Sequence, residues 1–86
     1  MKTLWLFTQT PNQENIKLLK RFVDETDCIV FIQNGVYIAK HNIDIACQKY
    51  VLKSDMEARG IVCAEKNIEY GELIDLFFDY DRVVTI

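Results

Sequence analysis

This 86-residue chain has little of what most catalytic sites are built from: it contains one histidine, His41, and one serine, Ser54. A serine-histidine-acid site would need those two to meet, and no nucleophile-elbow motif surrounds Ser54. A single imidazole with no C-x-x-C or Cys/His ligand spacing gives no metal centre, so no metal and no cofactor is expected, and His41 reads as solvent-facing or locally hydrogen-bonded. With one proline and three glycines there is no phosphate-cradling glycine series, no linker and no low-complexity tail, so residues 1–86 read as one domain. No apolar run is long enough to span a bilayer, and no cationic segment with a small-residue cleavage site opens the chain. Three cysteines cannot all pair within the chain, which favours a reduced, cytoplasmic setting. An excess of positive charge is missing too: seven lysines and three arginines lie scattered among thirteen acids, for a net charge of −3. Direct tRNA or other nucleic-acid recognition would need a concentrated positive surface, so any such contact is expected only through a partner.

What the chain does have is hydrophobic side chains, at 50% of residues. The run Cys28-Ile29-Val30-Phe31-Ile32 carries almost no polar atom and ends in the polar turn Gln33-Asn34-Gly35, the pattern of a strand covered on both faces in a parallel sheet. Leu4–Phe7 reads as a first strand. Ile16, Leu19, Phe22 and Val23 recur at helical spacing after a cap at Thr10 or Asn12, and Asp24–Asp27 breaks the helix before the next strand. This is one βαβ unit. Val36–Lys40 reads as a short helix and Lys49–Leu52 as a strand. Ser54–Arg59 reads as a two-turn helix, capped by Ser54 or Asp55 and closed by a left-handed Gly60. Ile61–Ala64 is a short strand or extended link, Tyr70, Leu73, Ile74 and Phe77 form an apolar helical stripe, and Val83–Ile86 is a last strand. The expected fold is a small α/β three-layer sandwich, with a mostly parallel sheet of four or five strands and helices on both faces. A chain this short has little to cover both faces of such a sheet, which points to a partner.

Several residues could carry chemistry. Among the thiols Cys28 opens an apolar strand and reads as packing, Cys47 sits in a loop or strand approach, and Cys63 follows the Met56–Arg59 helix at a connection. Gln33, Asn34 and Gly35 could offer amides to a small ligand at a strand's carboxyl end, or simply seat the next helix. Asp55 and Arg59, four apart, can pair on one helix face. Tyr37, Phe77 and Phe78 are partner-contact candidates, because adjacent Phe77 and Phe78 cannot both bury against one sheet face.

Three segments, Phe31–Tyr37, Val51–Gly60 and Ile68–Leu76, occur in the order and spacing of the TusB/DsrH family, and the chain resembles that family almost end to end. The resemblance implies a DsrE/F/H-like fold and a place in a cytoplasmic sulfur relay, where a persulfide passes between cysteines on its way to tRNA wobble-uridine 2-thiolation or to dissimilatory sulfur metabolism. It also implies TusC/DsrF-like and TusD/DsrE-like partner subunits where these are encoded, and a homo-oligomer otherwise. The relay cysteine of the TusD/DsrE type lies in a strand-to-helix connection; the comparable stretch here, Leu52-Lys53-Ser54-Asp55, has none. The implied role is a positioning subunit without catalysis of its own. A stand-alone carrier using Cys63, or a ligand-binding module at Gln33-Asn34-Gly35, are the alternatives.

Overall fold

Cys28–Phe31 (β2) is buried along its whole length because it is the central strand of a five-stranded sheet. The computed structural model describes residues 1–41, 44–63 and 65–86. Around β2 the chain runs β1 (Thr3–Phe7), α1 (Gln13–Phe22), a 3₁₀ segment (Gln33–Lys40), β3 (Gln48–Leu52), α2 (Lys53–Ala58), β4 (Lys66–Ile68), α3 (Tyr70–Asp79) and β5 (Arg82–Thr85). The strand order is β4-β3-β2-β1-β5, and all four pairings are parallel. Polar side chains therefore have no place along β2, which is covered by crossovers on either face.

Strand alternation divides the core in two. Trp5, Phe7, Ile29, Phe31 and Val51 pack with Leu19 of α1, Val36 and Ile38 of the 3₁₀ segment and Met56 of α2. On the opposite face Leu4, Cys28, Val30, Leu52 and Ile68 pack against Leu73 of α3, with Leu76 and Tyr80 at the margin. Among the described residues three connections thus cover one face, and a single ten-residue helix covers the other.

Local signals explain the element ends. Asn12 caps α1 through a reciprocal pair of bonds, Asn15 N to Asn12 Oδ1 at 2.9 Å and Asn12 N to Asn15 Oδ1 at 2.8 Å. Gly60 takes φ +62° and closes α2, with its amide donating to Glu57 O and that of Ile61 to Met56 O.

Four readings are refined or completed. Val36–Lys40 belongs to a longer 3₁₀ segment beginning at Gln33, in keeping with the weak α-propensity of its glycine and β-branched residues. Residues 61–63 are irregular, with Val62 92% exposed, and Ala64 lies outside the described residues. The fourth strand is instead Lys66–Ile68, an edge strand held by backbone pairing with only Ile68 buried. On α3 the sheet side is Leu73, with Leu76 and Tyr80 at its edge, while Tyr70, Ile74 and Phe77 are exposed.

Candidate functional site

In open parallel sheets, ligands collect beyond the carboxyl ends of the strands where the strand order reverses. Here the reversal lies between β1 and β5, and the chain's own bonds bridge it. Thr8 donates to Ile86 O through both its amide and its hydroxyl, each at 2.9 Å, and Ile86 N donates to Leu6 O at 2.8 Å. Polar groups converge instead one position over, beyond β2 and β3.

At that edge Gln33 takes φ 52°, the one positive φ outside glycine among the described residues. A non-glycine side chain there is sterically unfavourable and persists only where neighbours hold it. The holder is α2: Gln33 N donates to Asp55 Oδ2 at 2.6 Å, and Arg59 Nη1 lies 3.8 Å from Asp55 Oδ1. Arg59 Nη1 also donates to Asp55 O at 3.1 Å, and Arg59 Nε donates to Asn34 Oδ1 at 3.3 Å. Asp55, expected to cap α2, thus reaches across to the neighbouring connection, and α2 starts at Lys53 with no side-chain cap. Gly35 is buried against the backbone of Phe7, where any β-carbon would collide.

Gln33, Asn34, Asp55 and Arg59 are therefore brought together, with Gly35 beneath them. Asp55 and Arg59 bind the Gln33 amide and the Asn34 side-chain oxygen, which ties the turn to α2. Asp55→Ala is expected to cost about 1–2 kcal/mol, because it frees the Gln33 amide and removes the arginine's partner. Urea unfolding checks this, and a loss under about 0.3 kcal/mol would show the clamp to be idle.

The other candidates lie apart. Tyr37 is half-buried on the 3₁₀ segment, with the Lys40 ammonium 5.5 Å from its ring centre. Phe78 is 84% exposed on the far side of the molecule, on α3. Cys63 is half-buried, packed at the margin of the core that includes Leu19 and Met56. His41 is exposed, as expected. Beside the clamp, Lys53, Ser54 and Glu57 of α2 and Glu69, Tyr70 and Gly71 at the start of α3 line a depression of about 410 Å³. Among the described residues no three metal-ligating side chains converge.

The thiols differ sharply in environment. Cys28 is fully buried under α3, and burial, only partly offset by the Tyr80 hydroxyl, pushes its pKa up to about 11. Burial also raises Cys47, against the opposing pull of the Lys49 ammonium. A thiol raised in this way is almost wholly protonated at neutral pH, and the thiolate is the nucleophile. Tyr80 is pushed up to about 12, first by burial and then by Cys28.

Sequence reasoning missed Asp27, which lies at the opposite edge of the sheet. Its carboxylate is 5% exposed and accepts from Thr3 N at 2.9 Å, Trp5 Nε1 at 3.0 Å and Asp24 N at 2.9 Å. The available signal was Trp5, since a buried indole needs an acceptor.

Comparison with known proteins gives a consistent picture. The family model described as DsrH-like protein matches residues 9–83. Protein TusB of Pectobacterium parmentieri is 33% identical over 90 residues, covering 92% of this chain and 95% of that protein. The solution NMR structure of protein Tm0979 from Thermotoga maritima superposes with a TM-score of 0.71 at 32% identity, covering 90% of this chain and 92% of that one. Another NMR structure of Tm0979, presented as a candidate sulfur transferase, gives a TM-score of 0.69 at 34% identity over 79% and 82% of the two chains.

Proposed function

The chain belongs to the DsrH-like family of sulfur-relay proteins, and from that premise we propose that it is a positioning subunit of a cytoplasmic relay complex. In this reading TusD/DsrE-like and TusC/DsrF-like companions supply the reactive cysteine and complete the assembly, and the sulfur is destined for the 2-thio group of a tRNA wobble uridine.

The observation that carries the proposal is where the chain's thiols stand relative to the carboxyl edge. The β3-to-α2 connection, where the relay cysteine of the TusD/DsrE type is expected, presents Ser54 to the 410 Å³ depression. A hydroxyl cannot carry a persulfide. Cys28 is sealed beneath α3 with its thiol near 11, and Cys47 is raised as well. Persulfide relay requires a thiolate that can attack the outer sulfur of a donor, so these two thiols are poor carriers. What this edge offers is a rigid shape: the Asp55–Arg59 clamp on the turn after β2, with the depression next to it.

Cys63 is the thiol on which a competing reading can rest: it is only partly buried, unlike Cys28, and it stands at the connection after α2. The test co-expresses this chain with cysteine-bearing DsrE-type and DsrF-type subunits and follows native mass and transfer of labelled persulfide sulfur. Cys63→Ser is expected to leave assembly intact and transfer within about twofold, whereas omitting the chain lowers transfer by roughly tenfold or more through lost positioning. A persulfide forming on one of its own thiols at the relay rate, with no companion present, would sink the proposal. So would full transfer by a complex lacking this chain.

A further inference from the structure

Among the described residues α3 is the only helix on its face of the sheet. Ten residues make a helix about 15 Å long and about 10 Å wide, while five strands spaced about 4.8 Å apart span roughly 19 Å between the outer axes. Much of this face therefore stays open. Leu6 and Ile32 are half-exposed beside the core there, and Val83, which alternates with the inward Val84, is 42% exposed.

The helix has three distinct sides. Leu73, with Leu76 and Tyr80, meets the sheet. Glu72 and Asp75 line a depression with Tyr50 and Lys66, so that flank faces the β4 edge. Tyr70, Ile74, Phe77 and Phe78 are exposed at 57%, 52%, 39% and 84%, and at 100° per residue they fall on the flank away from those acids. They extend the open part of the sheet into one apolar surface. A monomer rarely leaves large apolar groups contiguous in this way unless the patch has a partner.

Charge identifies the kind of partner. Residues 69–81 hold five acids, Glu69, Glu72, Asp75, Asp79 and Asp81, and no base, a charge of −5. The rest of the chain has ten bases and eight acids, a charge of +2. The entire negative excess thus sits on α3 and its two ends, with Glu72, Asp75 and Asp79 along the other flank of the helix, and among the described residues none of the five acids forms an ion pair. A twofold contact between two copies through α3 would bring two helices together that each carry acids and no base, within the reach of unscreened repulsion.

We propose that the outer face of α3 docks a different protein, one whose apolar patch is bordered by lysines and arginines, and that it does not serve as a self-association surface. The proposal deepens the reading of the chain as a subunit, and its test uses no sulfur chemistry, so the two can fail separately.

The probe is the chain itself with the charge on the acidic flank reversed, Glu72→Lys/Asp75→Lys/Asp79→Lys, which carries the same stripe with a basic border. Wild type alone and the variant alone are expected to sediment as monomers. Their equimolar mixture is expected to form a heterodimer at least about tenfold tighter than either self-pairing, weakening as salt rises. Phe78→Glu in the wild-type chain, at a side chain without packing to lose, should abolish it. If lysine at position 72 weakens the start of α3, Glu72→Gln with the same two lysines keeps the Glu69 N to Glu72 Oε1 capping bond and carries the same expectation. A wild-type chain that self-associates with Phe78 in the contact would overturn the proposal, as would a mixture that stays monomeric.

Discussion

Gly35→Ala is expected to destabilise the fold by roughly 3 kcal/mol or more, at the upper end of what one added methyl does in a packed interior. The cause is a backbone obstacle. An added β-carbon would fall onto the carbonyl oxygen of Phe7 and lie 2.9 Å from the carbonyl carbon. A flexible neighbour could swing aside, but Phe7 is fully exposed to neither solvent nor loop: it is 0% accessible, packs against Phe31 with ring centres 5.6 Å apart, and its carbonyl accepts from Ile32 N at 3.0 Å. Relief would require moving the end of β1 or lifting the start of the 3₁₀ segment away from it. Either motion pulls Gln33 and Asn34 off the Asp55–Arg59 clamp, so the damage spreads to the edge next to Ser54. For a domain of this size, about 3 kcal/mol lowers the melting temperature by more than roughly 10 °C, which calorimetry reads directly. A loss below about 1 kcal/mol would mean that β1 and the 3₁₀ segment can separate without penalty, and that the turn is not held by close approach.

How far these features can be read from sequence depends on which forces leave a trace in residue type. The centre of the sheet was legible because burial on two faces demands an unbroken apolar run, and Cys28–Phe31 supplies it. The cap at Asn12 and the left-handed Gly60 were legible for a similar reason, since few residue types suit those positions. Lys66–Ile68 was not: an edge strand is made by backbone hydrogen bonds, and two of its three side chains face water. The more apolar Ile61–Ala64 read as a short strand or an extended link, and residues 61–63 are a link without strand pairing. On α3 the periodicity was legible, but not which part of the stripe meets the sheet. A helix with one apolar side for its own sheet and another for a partner shows a wide stripe, and Tyr70, Ile74 and Phe77 belong to the outward part. At the candidate site, the i, i+4 spacing of Asp55 and Arg59 was visible, but their reach to Gln33 and Asn34 spans more than twenty positions and needs the sheet to create it. The positive φ falls on Gln33, whose residue type gives no sign of it, while the nearby glycine serves the close approach at Phe7.

The same kind of long-range satisfaction makes Asp27 the other sensitive position, and Asp27→Ala is expected to cost roughly 4 kcal/mol or more. Its two oxygens accept three donors, the amides of Thr3 and Asp24 and the indole of Trp5. Alanine leaves these donors facing a void in a buried place, at about 1–3 kcal/mol for each group without a partner. Asparagine keeps the shape but turns an acceptor into a donor and removes the charge, so Asp27→Asn should cost roughly 3 kcal/mol. Burial by itself would raise the carboxyl's pKa. The Trp5 indole, the Asp24 and Thr3 amides and the nearby Arg82 guanidinium together outweigh it and hold the group below its ordinary value of 3.8.

The sign of the pH dependence follows from that direction. A carboxylate with a depressed folded-state pKa contributes its full stability above the unfolded value near 3.9, and loses it as pH falls from there through the folded pKa. Wild type minus Asp27→Asn should therefore show a stability gap that is flat from about pH 5 upward and narrows below about pH 4. Arg82 Nε also donates to Thr3 Oγ1, and Lys2 and Asp81 exchange bonds beside it, so this network ties β5 to β1 where α3 ends. Loosening it should raise amide exchange in residues 79–85 before the clamp at the other edge is affected. A gap that does not change between pH 5 and 2, or exchange that rises first around residues 33–35, would show that Asp27 holds something other than this seam.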